Sequence, residues 1–105
     1  MAGGQLSGQE QDVDNFSFAN QFTLLRLETR PSKPYSVNLR VTVIDGQLYV
    51  DAAPGRKWGK HLAVDPNVRI QLGRVVYAAR ALRVYDEDIV KNFLAGRHVY
   101  RMDPR

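Results

Sequence analysis

A basic segment around a single tryptophan carries the residues best suited to chemistry in this sequence. Arg56, Lys57 and Lys60 flank Trp58, the only Trp of the chain, and no acidic residue occurs over positions 52–64. A Pro-Gly pair just before these bases would end a strand, and a helix starting after it would expose unpaired backbone N–H groups. Such amides bind phosphate together with basic side chains, Arg as a two-pronged donor and Lys as a mobile charge. The alternative is a solvated basic turn in which Trp58 anchors a helix.

Other reactive residue types are scarce. The chain has no Cys, which excludes a thiolate nucleophile, a disulfide and a cysteine-ligated metal. His61 and His98 are the only histidines, and no His or carboxylate cluster has metal-ligand spacing. No Ser has the surroundings of a nucleophile elbow, and the acidic run at 86–88 precedes a predicted helix, where it is interpreted as a cap. The sequence therefore predicts no catalytic residue and no metal site, so that any chemistry must come from a bound group.

Length and charge predict one small basic domain. The chain has 105 residues and a net charge of +4, and a chain of this length supports one hydrophobic core. Residues 1–25 contain three acids and no base, whereas residues 26–105 contain all 15 bases. A basic body favours an anionic partner such as a phosphorylated small molecule, nucleic acid or a membrane surface, although scattered bases also serve solubility alone.

The start of the chain is predicted to lie outside the domain. Residues 1–14 are rich in Gly, Gln and acids and are interpreted as a disordered leader, with a single domain over residues 15–105. No apolar run reaches the roughly 20 residues of a membrane span, and the start lacks the pattern of a signal peptide. We therefore expect a cytoplasmic protein without a membrane partner.

Hydrophobic periodicity predicts a mainly β fold with two short helices. Residues 35–43 alternate apolar and polar types, Asp45-Gly46 favours a two-residue hairpin turn, and residues 47–52 return as the partner strand. The remaining predicted elements are strands at 23–29, 68–72 and 75–85, the last of these being the final strand, and helices within 56–64 and at 87–95. Five or six antiparallel strands in so short a chain favour a small β-barrel or a strongly bent sheet, which hides strand edges.

An ordered set of short motifs resembles a known superfamily. The motifs are PYSVNL at 34–39, DGQLYV at 45–50, AAPGRKW at 52–58, HL at 61–62 and DPNVRIQL at 65–72. Their order and spacing resemble the flavin-binding split β-barrel superfamily, in particular its pyridoxine phosphate oxidase-like and deazaflavin-dependent nitroreductase branch. The resemblance covers about half of the chain.

The resemblance implies a cofactor site at a homodimer interface. FMN or a deazaflavin would bind there, with Ser36 and Asn38 near the ring system. The phosphate would be held by the loop after the next strand, which corresponds to Ala53, Arg56, Lys57, Trp58 and Lys60. Several positions depart from the family pattern: Ala53 stands where a Ser is usual, Pro54-Gly55 and Lys57 replace the usual Gly-Gly and the Pro before Trp, and His61 stands where an Asn is usual. On this view the protein orients the cofactor, and the cofactor performs the hydride chemistry of an oxidoreductase.

Two other functions are compatible with the same residues. A non-enzymatic split barrel that has lost the flavin would serve as a ligand-binding or dimerisation module. A small basic barrel could instead bind RNA or single-stranded DNA, stacking bases on Tyr35, Tyr49 and Tyr77 beside Arg40 and Arg69. Core packing explains those tyrosines at least as well, and the sequence favours nucleic acid least.

Overall fold

The fold is a curled, mainly β sheet with two short helices, a small split β-barrel, as the sequence predicts. The computed structural model describes residues 4–30 and 33–105. The elements in chain order are β1 (Gln9–Glu10), a 3₁₀ helix (Ser17–Gln21), β2 (Leu24–Thr29), β3 (Tyr35–Arg40), β4 (Thr42–Ile44), β5 (Gln47–Ala52), α1 (Lys57–Val64), β6 (Asn67–Leu72), β7 (Val75–Val84), α2 (Glu87–Val90) and β8 (His98–Pro104).

The sheet curls because its two edge strands are neighbours in sequence. The strand order is β3-β2-β6-β7-β8-β5-β4, and all neighbours on this path are antiparallel. Only Val41 separates β3 at one edge from β4 at the other, so that the two edges must lie close together. The predicted single strand over residues 35–43 is therefore wrong: its first part pairs with β2 and its last part with β5.

The core lies on the concave side of this sheet. Val68, Ile70 and Leu72 alternate with partly exposed residues along β6, as expected for a strand with one buried face. Trp58 and Leu62 of α1 join the same cluster, so that the helix closes one end of the barrel. The predicted hairpin at Asp45-Gly46 is also confirmed, because both residues have the positive φ angles of 50° and 77° that a type I′ turn requires.

The C-terminal quarter differs from the prediction. Residues 98–104 form β8, which pairs with both β5 and β7, so that β7 is not the final strand. The sequence conceals β8 because Val99 and Tyr100 are buried next to each other instead of in alternation. The helix predicted over 87–95 ends at Val90, where the Asn92 side chain donates hydrogen bonds to two of its last carbonyl oxygens. As a result, Leu94 is exposed instead of buried.

The segment before residue 15, for which the sequence predicts a disordered leader, contacts the sheet. Gln9 and Glu10 pair in parallel with β7. Leu6 is buried, and its backbone N–H donates to Glu28 Oε2 at 2.6 Å. Arg69 lies between the carboxylates of Glu10 and Glu28, at 3.3 and 3.5 Å. Residues 1–3 lie outside the described part of the chain, and the domain boundary at residue 15 stays a prediction.

Candidate functional site

A pocket of about 550 Å³ opens where the barrel is split. β4 pairs only with the first half of β5, so that beyond Tyr49 this edge of β5 has no neighbouring strand, and β3 pairs only with β2 in the described part of the chain. The pocket lies between these two edges, with the start of α1 at its end. We call it the split pocket. Its lining residues are Tyr35, Val37, Asn38 and Leu39 of β3, Asp51 and Ala52 of β5, Ala53, Gly55, Arg56, Lys57, Trp58 and Arg97.

The start of α1 presents unpartnered backbone donors to this pocket. Gly55 adopts a φ of 87°, which turns the chain sharply after Pro54, and the Arg56 N–H donates to the Ala53 carbonyl oxygen at 3.3 Å. No side chain caps the helix. The N–H groups of residues 57–59 have no acceptor among the described residues, so that this helix end can receive an anion.

Two exposed cations stand beside these amides. Arg56 and Lys57 are exposed and line the split pocket. The ion pairs within residues 4–30 and 33–105 involve other bases, so that neither side chain is neutralised by a carboxylate of the described chain. Their charge adds to the partial positive charge of the helix start.

Trp58 has both of the roles considered from the sequence. It lines the split pocket but is 4% exposed, and its ring lies 6.0 Å from that of Tyr100. This contact fixes α1 to β8. Trp58 therefore positions the amides and bases at the helix start and offers the pocket little surface of its own.

The other predicted site residues divide into two groups. Asn38 and Ala53 line the split pocket, whereas Ser36 and Lys60 do not. Ser36 is fully buried, with its Oγ at 3.4 Å from Arg26 Nη2, although it shares a face of β3 with Asn38. Lys60 is exposed one helical turn beyond the pocket.

One ion pair of the pocket, formed by Arg97 and Asp51, is not predicted by the sequence. Arg97 precedes β8, and its Nε donates to Asp51 Oδ2 at 2.8 Å while its Nη2 donates to the Asp51 carbonyl oxygen at 3.3 Å. The two residues are 46 positions apart, and no local pattern marks either one. Only the pairing of β5 with β8, itself missed, brings them together.

His61 links α1 to the two strands beside the pocket. Its Nδ1 lies 2.8 Å from Thr29 Oγ1, and that hydroxyl donates to the Tyr35 carbonyl oxygen. The single hydroxyl proton is thereby used, so that His61 Nδ1 carries a proton and donates it to Oγ1. Burial lowers the pKa of His61, and the positive charges of Arg30 and Lys57 lower it further. Thr29 is fully buried, which excludes it as a nucleophile for an external substrate.

The tyrosines considered for nucleic-acid stacking lie mostly inside the molecule. Tyr49 and Tyr77 are buried, and Tyr77 contacts the rings of Phe16 and Phe18. Arg69 is engaged by two carboxylates. Within residues 4–30 and 33–105 there is also no cluster of three potential metal ligands, and none of the helices described has the length and apolar character needed to cross a membrane.

Comparison with solved structures identifies the fold. A pyridoxamine 5′-phosphate oxidase-like protein of Listeria innocua superposes with a TM-score of 0.67 at 14% identity, over 85% of this chain and 89% of the other. The FAD binding protein of Mycobacterium smegmatis has a TM-score of 0.63 at 17% identity, over 85% and 86%. HutZ, the heme storage protein of Vibrio cholerae, has a TM-score of 0.63 at 15% identity, over 84% and 85%.

This chain has a split β-barrel fold. At these identities the likeness shows the fold alone. No protein-family model and no curated protein sequence matches the chain. Any function must therefore be argued from the split pocket.

Proposed function

We propose that the split pocket binds FMN or a deazaflavin through its phosphate, as an oxidoreductase-like protein of the split-barrel type. The observation that carries the proposal is the start of α1, where free backbone N–H groups and the unneutralised Arg56 and Lys57 face one pocket. A phosphate group satisfies both kinds of donor at once. The proposal extends to this chain the flavin named for the FAD binding protein of M. smegmatis.

The described residues fit such a ligand. A volume of about 550 Å³ lies within the range of pockets that enclose small cofactors. The helix start would hold the phosphate end, while Val37, Asn38 and Leu39 of β3 offer an apolar wall with one amide to the other end. Ala53 supplies no hydroxyl to the phosphate, so that binding depends more heavily on the amides and the two bases.

The residues of this chain would bind and orient the cofactor. A bound flavin supplies hydride transfer, and no acid–base side chain is needed from the chain for that role. Trp58, through its contact with Tyr100, keeps the helix start in place when the ligand arrives. The β3 wall would exclude water from one face of the ligand.

A homodimer is part of the proposal. The outer edge of β3 carries backbone groups without a neighbouring strand in the described chain, and such edges are commonly covered. A second copy lying over the split would cover this edge and the open side of the pocket. Light scattering tests this part, and a monomer at every concentration and with saturating FMN would contradict it.

The test of cofactor binding compares FMN with riboflavin, which lacks the phosphate. We expect the purified chain to bind FMN more tightly than riboflavin. The double variant Arg56→Ala/Lys57→Ala should weaken FMN binding by about 10- to 100-fold, as for the loss of charge-assisted hydrogen bonds, and leave riboflavin unchanged. Arg74→Ala/Lys91→Ala is the matched control, since it removes two exposed charges outside the pocket. A chain that binds neither FMN nor a deazaflavin contradicts the proposal.

A non-enzymatic ligand-binding module is the second candidate, and one observation favours it. No hydroxyl side chain other than that of Tyr35 lines the split pocket in the described chain, because the usual Ser is Ala53 and Ser36 is buried. A module of this kind would bind a different anionic ligand on the same helix start. Titration with hemin, the ligand class named for HutZ, alongside FMN separates the two candidates, because hemin binding without flavin binding supports the second.

A further inference from the structure

Arg97 lies in the split pocket with part of its hydrogen-bonding capacity unused. Its Nε and Nη2 hold Asp51, at the carboxylate and at the backbone carbonyl. A guanidinium has five N–H donors, so that these two contacts leave three, including both on Nη1. The side chain is 31% exposed and lines the pocket. Asp51 thus holds Arg97 at two points and leaves three of its N–H donors free for a ligand.

The pair also sets the charge that a ligand meets. Arg56, Lys57 and Arg97 are the basic residues that line the pocket, and Asp51 is the acidic one. An unpaired Asp51 would repel an anionic ligand inside the same cavity, where charges are less screened than in bulk water. Arg97 cancels that repulsion and, unlike Arg56 and Lys57, reaches the pocket from the segment before β8. Arg97 is therefore placed to favour an anion in two ways, indirectly by neutralising Asp51 and directly through its own free donors.

We propose that Arg97 contacts the ligand anion directly and selects phosphorylated ligands over neutral ones, with Asp51 as the residue that positions it. The proposal rests on the proposed function for the identity of the ligand, since it assigns a third basic group to the same phosphate-binding pocket. Because Asp51 already holds the guanidinium at two points, Arg97 loses little further conformational freedom when a phosphate binds. Its remaining donors therefore bind the phosphate at small entropic cost.

A double-mutant cycle separates direct contact from charge cancellation. Dissociation constants for FMN and riboflavin are measured for the unmodified chain and for Arg97→Ala, Asp51→Asn and the double variant. We expect Arg97→Ala to weaken FMN binding about tenfold with little effect on riboflavin. In the Asp51→Asn background the Arg97→Ala change should have the same effect, so that the double variant binds FMN about tenfold more weakly than Asp51→Asn alone. If the double variant binds FMN as tightly as Asp51→Asn, Arg97 acts only by cancelling Asp51 and the proposal is wrong.

A matched pair elsewhere controls for loss of an ion pair. Arg101 donates to Asp103 through Nε and Nη2 at 2.8 and 2.9 Å, with similar exposure to solvent, and neither residue lines the pocket. Arg101→Ala should therefore leave the preference for FMN over riboflavin unchanged. An equal loss of that preference in Arg101→Ala and Arg97→Ala would overturn the assignment of Arg97.

A second readout does not require a flavin. Inorganic phosphate is titrated into the ¹⁵N-labelled chain while the Nε–H signals of Arg97 and Arg101 are followed by NMR. We expect a saturable shift at Arg97 and none at Arg101. If the chain binds no flavin but phosphate shifts the Arg97 signal, the flavin proposal is contradicted and the role of Arg97 in anion binding is supported. Phosphate binding that moves the α1 amides and leaves Arg97 unmoved overturns the role of Arg97 alone.

Discussion

The closed side of the barrel and its split side differ in how completely their strands are paired. On the closed side β2, β6, β7 and β8 each pair with a strand on both flanks, and Leu27, Val68 and Ile70 are fully buried. On the split side β3 and the end of β5 each lack one neighbour, and exposed bases stand beside free helix amides. Backbone pairing and apolar burial thus stabilise one side, while the groups left unpaired on the other are those available to a ligand. Substitutions on the two sides should separate stability from binding.

The largest expected effect is a loss of stability on the closed side. Leu27 lies on β2 opposite Val37 on one flank and Ile70 on the other. We expect Leu27→Ala to reduce the free energy of unfolding by about 3 kcal/mol, because it leaves a cavity in the core. Urea denaturation followed by circular dichroism measures this loss, and FMN affinity at temperatures where the variant is folded should be retained.

The same strand supplies the control for that measurement. Leu24 is 58% exposed, and Leu24→Ala should change the free energy of unfolding by no more than about 0.5 kcal/mol. Equal losses in the two variants would mean that β2 has no buried face toward the core. A large loss of FMN affinity in Leu27→Ala would mean that the two sides are coupled, and the comparison would then fail.

A smaller effect is expected at two glycines on the split side, with opposite signs. Gly55 has a φ of 87°, so that Gly55→Ala should destabilise the fold by about 1 kcal/mol through backbone strain. Gly59 lies within α1, and an added Cβ would meet Ala52 and Tyr100 at ordinary contact distances. Gly59→Ala should therefore stabilise the fold by up to about 1 kcal/mol, from helix propensity.

Thermal unfolding of the two variants checks this prediction. Each change adds one methyl group near the same helix start, so that the comparison isolates the backbone conformation. Destabilisation by Gly59→Ala as well would show that α1 has no room for a methyl group beside Ala52 and Tyr100.

The sequence predicted local features well and distant pairings poorly. The alternation of Val68, Ile70 and Leu72 and the turn at Asp45-Gly46 depend on neighbouring residues, and both are confirmed. The basic start of α1 was also predictable, because Arg56 and Lys57 adjoin a Pro-Gly bend. In each case the physical cause lies within a few positions of the residue.

The features that were missed depend on contacts between distant segments. β8 is held by both β5 and β7, which override its irregular pattern. Ser36 and Asn38 looked equivalent as polar positions of one strand, yet Ser36 is buried and Asn38 lines the pocket. The two side chains share one face of β3, so that only contacts with other segments, such as that of Ser36 with Arg26, distinguish the buried residue from the one that lines the pocket.

The smallest expected effect is a pH dependence at His61, which joins α1 of the split side to Thr29 on the closed side. Burial, Arg30 and Lys57 lower the pKa of His61 from its ordinary value of 6.5. Between pH 6.5 and that lower value the unfolded chain takes up a proton that the folded chain does not, so that stability falls as the pH decreases through this window and is unaffected above it. His61→Asn keeps an amide donor for Thr29 but does not titrate, and it should lose less stability between pH 7.5 and pH 5 than the unmodified chain. Urea unfolding at both pH values measures the difference, in which the contributions of all groups common to the two proteins cancel. A steeper loss in His61→Asn would mean that protonated His61 stabilises the junction, because its Nδ1–H to Thr29 would then outweigh burial and repulsion by the two bases.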